Sequence, residues 1–230
     1  MITLALTNWN RDSLTFDAFR HVLNDPRITE IVISDDHSDE RIYQNLVFMC
    51  NGIDKVKIYR NETNLGCYHN KRRAVELATN EWVILFDSDN VLKPDYIDSI
   101  YFPKDWQPHM LYQPEWARPH FDFRKFSASV ISAFNIKGYL PQKHFTTMLN
   151  AMNFFVNRAE YLRVFDTKKE EPWTADSIYF NYLWLKAGNK IYVTPGMQYD
   201  HLVHDGSHYK ANVHKTGNFY QEIERMLKEL

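Results

Sequence analysis

Five apolar residues, Trp82, Val83, Ile84, Leu85 and Phe86, run without a break and stop at Asp87-Ser88-Asp89. An apolar run of that length fits a strand buried on both faces, the habit of a parallel sheet. Less continuous apolar stretches lie upstream at residues 2–7, 31–34 and 56–59. Between them the apolar period lengthens to that of a helix. Ser13 is placed to cap a helix bearing Phe16, Phe19, Val22 and Leu23, and Pro26 closes it. Ile42, Leu46, Met49 and Cys50 mark a second helix, and Asn64 opens a third over residues 67–79. Strands separated by helical patterns predict βαβ units, right-handed crossovers and a mostly parallel sheet.

The pattern weakens after residue 100. Residues 103–150 mix Trp106, His109, Tyr112, Trp116, His120, Phe121 and Phe123 with prolines and charges, without clean periodicity. They read as a loop-rich lobe whose aromatics pack on the sheet. Thr174 is then placed to cap a helix with Ile178, Tyr182 and Leu185 facing the core, and Gly188 ends it. Ile191, Tyr192 and Val193 form the next strand. Residues 218–230 predict an amphipathic helix, with Asn218 and Gln221 as a capping-box start and Phe219, Ile223, Met226, Leu227 and Leu230 as its stripe. This tail docks on the domain, or marks the edge of a longer chain with further domains.

Composition narrows the class. A chain of 230 residues with 44% hydrophobic content supports one domain with a sizeable core. The formal net charge is -2, and Lys71-Arg72-Arg73, the one basic triplet, lies inside a predicted helix, so no nucleic-acid partner is indicated. Two cysteines, Cys50 and Cys67, make neither a disulfide framework nor a metal finger, and a reduced, cytoplasmic setting is expected. The start is too short for a signal-peptide core, and no apolar run approaches the ~20 residues that span a bilayer.

The chemistry gathers at strand ends, where open α/β sheets bind ligands. Asp87 and Asp89 are two apart, so in extended backbone both side chains leave on one side. Two close carboxylates repel unless a cation lies between them, and hard oxygen ligands select Mg²⁺ or Mn²⁺. The pair reads as a divalent-metal site that receives a diphosphate, or as a polar turn with one Asp capping the next helix. The strand at 31–34 also ends in two carboxylates, Asp35 and Asp36. Lys71 shares a helix stripe with Cys67, Tyr68, Ala74, Val75 and Ala78, and a lysine there needs a partner. A phosphate near the helix N-terminus would supply one; otherwise the lysine snorkels to solvent.

Taken in order, these pieces resemble glycosyltransferase family 2 enzymes of the GT-A fold. The matching segments are Thr7-Asn8-Trp9-Asn10-Arg11, Val32-Ile33-Ser34-Asp35-Asp36-His37-Ser38-Asp39, Asn61-Glu62-Thr63-Asn64-Leu65-Gly66 with Lys71, and Val83-Ile84-Leu85-Phe86-Asp87-Ser88-Asp89. The likeness resumes at Phe154-Phe155-Val156-Asn157-Arg158 and runs from Thr174-Ala175-Asp176 to Ala187-Gly188. It implies a Rossmann-like sheet flanked by helices in one GT-A domain over 1–230. Residues 1–100 would bind the nucleotide-sugar, a UDP-sugar being the commonest donor, and residues 101–217 would meet the acceptor. The resemblance assigns Thr7, Arg11, Asp36, Lys71, Asp87 and Ser88 to the donor, with Asp36 on the base and Lys71 where the family usually has an Arg near the diphosphate. A lysine keeps that charge but loses the bidentate fork. Asp87, Asp89 and His201 are implied as ligands of Mn²⁺ or Mg²⁺, with His204 second to His201, and His208 completes a cluster of three histidines. Asp176 is the implied general base, although the family's Glu-Asp pair is here Ala175-Asp176.

The expected activity is therefore transfer of a sugar, with inversion, to a hydroxyl of a glycan or other acceptor. A phosphatase of the haloacid dehalogenase type would also use a strand ending in Asp87 and Asp89, with Asp87 as nucleophile. No convincing downstream Gly-Asp pair supports it. A binding module of the same fold with dead chemistry is the non-enzyme alternative, kept open by the missing Glu before Asp176.

Overall fold

The computed structural model describes residues 1–101, 103, 105–203 and 208–230, and only the backbone of 208–211. The chain begins β1 (Ile2–Asn8), α1 (Asp12–Phe19), β2 (Ile28–Asp35), α2 (Glu40–Met49), β3 (Val56–Arg60), α3 (Cys67–Leu77) and β4 (Trp82–Asp87). It continues through β5 (Asn90–Val91), α4 (Pro94–Ile100), β6 (Met110–Arg118), β7 (Phe121–Asp122), β8 (Val130–Ile131), α5 (Ile136–Tyr139), α6 (Phe145–Asn150) and β9 (Phe154–Asn157). It ends with α7 (Arg158–Val164), α8 (Asp176–Lys186), β10 (Lys190–His201), α9 (His208–Thr216) and α10 (Phe219–Glu229). Among the described residues, no helix is long and apolar enough to cross a membrane.

The strands form one sheet in the order β3-β2-β1-β4-β9-β6-β10-β5. The first four are parallel, as the βαβ pattern requires. Beyond β4 the sheet becomes mixed: β9 runs antiparallel to β4 and to β6, while β6 and β10 are parallel. The alternation of β4 divides the core. Val83 and Leu85 pack with α3, α8 and α10 on one face, and Ile84 and Phe86 pack with α1 and α4 on the other. Asp87 has the parity of Leu85, so it leaves the sheet on the face that carries α3 and α8.

The expected loop-rich lobe contains a nine-residue central strand, β6. Its pattern is obscured because Gln113 is buried, donating to the Met148 and Ala151 carbonyls, and because Pro114 pairs with Thr194 where the register to β10 shifts. Three expected caps are not formed. α1 starts at Asp12 with Arg11 in the cap position, so Ser13 is inside the helix. Thr174 lies in a 3₁₀ turn (Trp173–Ala175), its hydroxyl 2.6 Å from that of Thr216, and α8 has no side-chain cap. Asn218 precedes α10 but makes no side-chain cap there. Thr174 is taken by Thr216, and α1 starts one residue ahead of Ser13. The tail helix does dock: Ile223 and Leu227 are fully buried in the α3–α8 side of the core.

Candidate active site

The carboxyl ends of β1, β2 and β4 lie level, because Thr7 pairs with both Ser34 and Asp87, and Asn8 with Asp35. That register opens a cleft of about 1040 Å³ at the strand ends. Its walls include Thr7, Arg11, Asp36, Lys71, Asp87, Asp89, Asp176 and His201. Residues from the ends of β1, β2, β4 and β10 and from α3 and α8 thus meet in one place. Ser88 does not join them: it is fully buried, and its hydroxyl has no hydrogen-bond partner among the described residues. The turn carries Asp87 and Asp89 to the cleft and turns Ser88 inward between them. His204 lies outside the described residues, as does the side chain of His208.

The two carboxylates after β2 do different work. Asp35 is wholly buried and accepts from Asn8 Nδ2 at 2.6 Å and from Ser38 N and Oγ at 3.1 and 2.5 Å, holding the β1 and β2 turns together. Asp36 lines the cleft, and its carboxylate accepts from Leu65 N, Gly66 N and Asn61 Nδ2 at 2.7, 3.1 and 3.0 Å. It draws the segment before α3 onto the sheet. Burial pushes the Asp36 carboxyl upward, and these three donors oppose that push.

Lys71 is buried, and it does not snorkel. Its ammonium donates to Asp176 Oδ2, stands 3.8 Å from Asp87 Oδ1 and 3.5 Å from Ser177 Oγ. Burial works against its charge, but Asp176 and Asp87 outweigh burial and hold Lys71 above the ordinary lysine range. The same setting acts on Asp87. Burial raises its pKa; Lys71 and Arg11 oppose this, while Asp89 and Asp176 add to it. Arg11 Nη1 lies 3.0 Å from Asp89 Oδ2. The cleft floor therefore holds three carboxylates and two cations, with the cations of the nucleotide half already facing acids.

His201 reaches the cleft from the end of β10, opposite Asn90 of β5. Its Nδ1 lies 3.2 Å from Nδ1 of His120, and its ring meets Phe121 edge-on at 5.1 Å. For a divalent cation, the chemistry of the donors fits: two hard carboxylates on one turn, close enough that Asp89 works against ionisation of Asp87. Among the described residues no three His, Cys, Asp or Glu side chains are gathered into a cage, so substrate oxygens would complete a shell.

Glu171 was missed by sequence reasoning. It lines the cleft from the segment before α8, and its carboxylate accepts from Tyr68 N at 3.2 Å, Trp173 N at 3.1 Å and Cys67 Sγ at 3.1 Å. An acid thus sits on the first turn of α3, where a free N-terminus favours an anion. Burial raises the Glu171 pKa, and its hydrogen bonds oppose the rise. The available signal was an acidic pair, Glu170-Glu171, in a segment that lacks the expected Glu at 175. Asn150 was missed as well. Its Nδ2 donates to Thr174 O at 2.9 Å and its Oδ1 accepts from Ile178 N at 3.2 Å, which fixes the start of α8 and so Asp176.

The model of Glycosyl transferase family 2 matches residues 4–164. Among solved structures, S. aureus TarS 1-349 in complex with UDP-GlcNAc superposes with a TM-score of 0.70 at 16% identity, covering 96% of this chain and 66% of that one. GalNAc-T7 with UDP, GalNAc and Mn²⁺ gives 0.69 at 14% identity, covering 88% of this chain and 44% of that one. These likenesses show the fold, that of the GT-A glycosyltransferases, and the chain spans two thirds or less of either structure's length. No curated protein matches in sequence.

Proposed function

This chain belongs to glycosyl transferase family 2, and on that premise we propose that it moves a sugar from a UDP-sugar to a hydroxyl of a glycan or other acceptor, with inversion. The observation that carries the reading is the meeting of Lys71, Asp87 and Asp176 in one cleft at the strand ends. Family membership sets aside the phosphatase alternative. The TarS and GalNAc-T7 structures carry UDP-GlcNAc and UDP respectively, which supports a uridine carrier.

In this reading the diphosphate takes Lys71 and Arg11 as its cations. Both now face carboxylates, so donor binding exchanges one anion for another. Once Lys71 turns to the diphosphate, the Asp176 carboxylate is released from its ion pair and is open to the acceptor hydroxyl. Asp176 takes the proton from the acceptor hydroxyl as that oxygen bonds to the anomeric carbon. The bond from that carbon to the diphosphate breaks on the opposite face, and its electron pair leaves with the nucleotide. Asp87 and Asp89 would hold a divalent cation, with substrate oxygens completing its shell; His201 lines the same cleft but is not gathered with them. Such an ion supplies charge neutralisation at the leaving diphosphate. Thr7 and Asp36 line the nucleoside end, where Asp36 keeps the loop before α3 in place.

Family membership likewise favours an enzyme over an inert binding module. Neither Cys50 nor Cys67 is in a disulfide, which keeps to the reading of a reduced, cytoplasmic setting. Calorimetric titration with UDP, GDP and dTDP, each with and without Mn²⁺, tests the proposal. It is supported by metal-dependent binding of one nucleotide and overturned if none binds.

A further inference from the structure

A second hollow, of about 630 Å³, is walled by His120, Phe121, Asp122, Arg124, Lys125 and His144. We infer that it is an accessory acceptor subsite that takes an anionic group, a phosphate or carboxylate, carried by the acceptor. The inference rests on the transferase reading only in calling that ligand the acceptor.

The hollow carries surplus positive charge. Asp122 is its one acid, and that carboxylate is engaged by Arg124 through Nε at 2.9 Å, Nη2 at 2.6 Å and the backbone N–H at 3.0 Å. Lys125 is left as surplus charge, its ammonium 4.5 Å above the Phe126 ring and paired with no carboxylate among the described residues. The guanidinium of Arg124 is steadied over Trp116 at 4.1 Å. His144 brings an imidazole, which has an N–H to donate in either tautomer, while His120 lines the same hollow with its Nδ1 facing the His201 carbonyl at 3.2 Å. All of these but Phe121 are exposed, so a ligand reaches them from solvent. A surplus cation beside an imidazole donor recognises an oxyanion through charge-assisted hydrogen bonds.

The hollow adjoins the catalytic cleft. Phe121 lines both cavities. His120 of the hollow stands against His201 of the cleft, ring centroids 5.2 Å apart. Helix α6 joins the two again: His144 precedes its first turn, while Thr147 and Asn150 face the cleft. Asn150 is the residue that fixes the start of α8, beside Asp176. From His144 to Asn150 is roughly 9 Å of helix, a distance that a short glycan bearing a charged substituent spans. The hollow therefore lies on the side of the proposed base, where the acceptor enters, and its chemistry suits an acceptor that is negatively charged close to its reacting hydroxyl.

Histidine-resolved NMR on the whole chain tests this, with His120→Gln and His144→Gln used to assign the two imidazoles. The probes are glucose 6-phosphate, glucose and inorganic phosphate. The expected result is that glucose 6-phosphate moves both resonances at concentrations at least about ten-fold below those at which inorganic phosphate or glucose does, and that Lys125→Glu weakens the response ten-fold or more. Lys125 is exposed, so its substitution does not threaten the fold. The inference is overturned if neither resonance moves, if inorganic phosphate acts at equal or lower concentration, or if Lys125→Glu has no effect. A UDP titration of the wild-type sample separates the two readings. Absent UDP binding with an intact sugar-phosphate response would sink the transferase, whereas intact UDP binding with no sugar-phosphate response would sink the subsite alone.

Discussion

Lys71 and Asp176, 105 residues apart, form a buried ion pair at the floor of the cleft. Each is under a tenth exposed, so neither charge has enough water to stand alone. Removing the cation should leave Asp176 and Asp87 facing each other across the site. Lys71→Met is expected to cost about 3–5 kcal/mol in chemical denaturation, with the double variant Lys71→Met/Asp176→Asn recovering much of that loss. A double variant no more stable than Lys71→Met would show that the pair is not coupled.

The same pair governs activity. Asp176→Asn removes the proton acceptor while leaving a side chain of similar shape to meet Lys71. Transfer should fall by ~10²–10⁴-fold, the usual worth of a general base, while calorimetric affinity for UDP is kept or rises, because Lys71 no longer has to leave a carboxylate to reach the diphosphate. Wild-type turnover in Asp176→Asn would remove this residue from the chemistry.

Asp89 is held by Arg11 at 3.0 Å, and the metal reading gives it a second partner when the donor binds. Asp89→Ala should therefore abolish the difference between UDP titrations with and without Mn²⁺. Chelation of the wild type should reproduce the variant's weakened donor binding. A metal response that survives in Asp89→Ala would place the ion elsewhere.

Gly66 has φ +81, and a Cβ built there would lie 2.2 Å from Glu171 Oε2. Gly66→Ala thus meets both a backbone conformation that side chains avoid and the carboxylate seated on α3. We expect a loss of about 1–3 kcal/mol. Because part of that loss is the clash, Gly66→Ala combined with Glu171→Ala should cost less than the sum of the two single variants. Strict additivity would mean that Glu171 does not rest on this glycine.

Glu160 tests the fold by pH. It is buried and accepts from Arg163, from Asn189 Nδ2 at 2.6 Å and from His109 at 3.3 Å. The Arg163 hydrogen bonds, ahead of Asn189 and His109, pull its pKa down from 4.5 to about 2 against the push of burial. A lowered folded-state pKa means stability that is fully present above pH 4.5 and is lost as pH falls toward 2. Glu160→Gln should then be less stable than wild type at neutral pH by about 1–3 kcal/mol, and the gap should close between pH 5 and 2. A constant gap across that range would assign the loss to packing.

The parts of this protein that the sequence determined by itself are the local ones. The unbroken run at 82–86 demanded a doubly buried strand, and the helical spacing between the earlier runs demanded crossovers, so the parallel half and the edge where Asp36, Asp87 and Asp89 gather were legible from period alone. Lys71 stood out because a charge on a buried stripe needs a partner. Which partner it meets was decided only by tertiary structure: the parity of β4 put Asp87 on the α3 face, and packing of α8 on that face brought in Asp176. The central strand β6 escaped notice because a buried Gln113 and a Pro114 at a register shift break the alternation that marks a strand. Glu171 escaped for a different reason. Its hydrogen bonds reach Cys67 and Tyr68, more than a hundred residues earlier, and no local period encodes a contact that exists only once the chain has closed on itself.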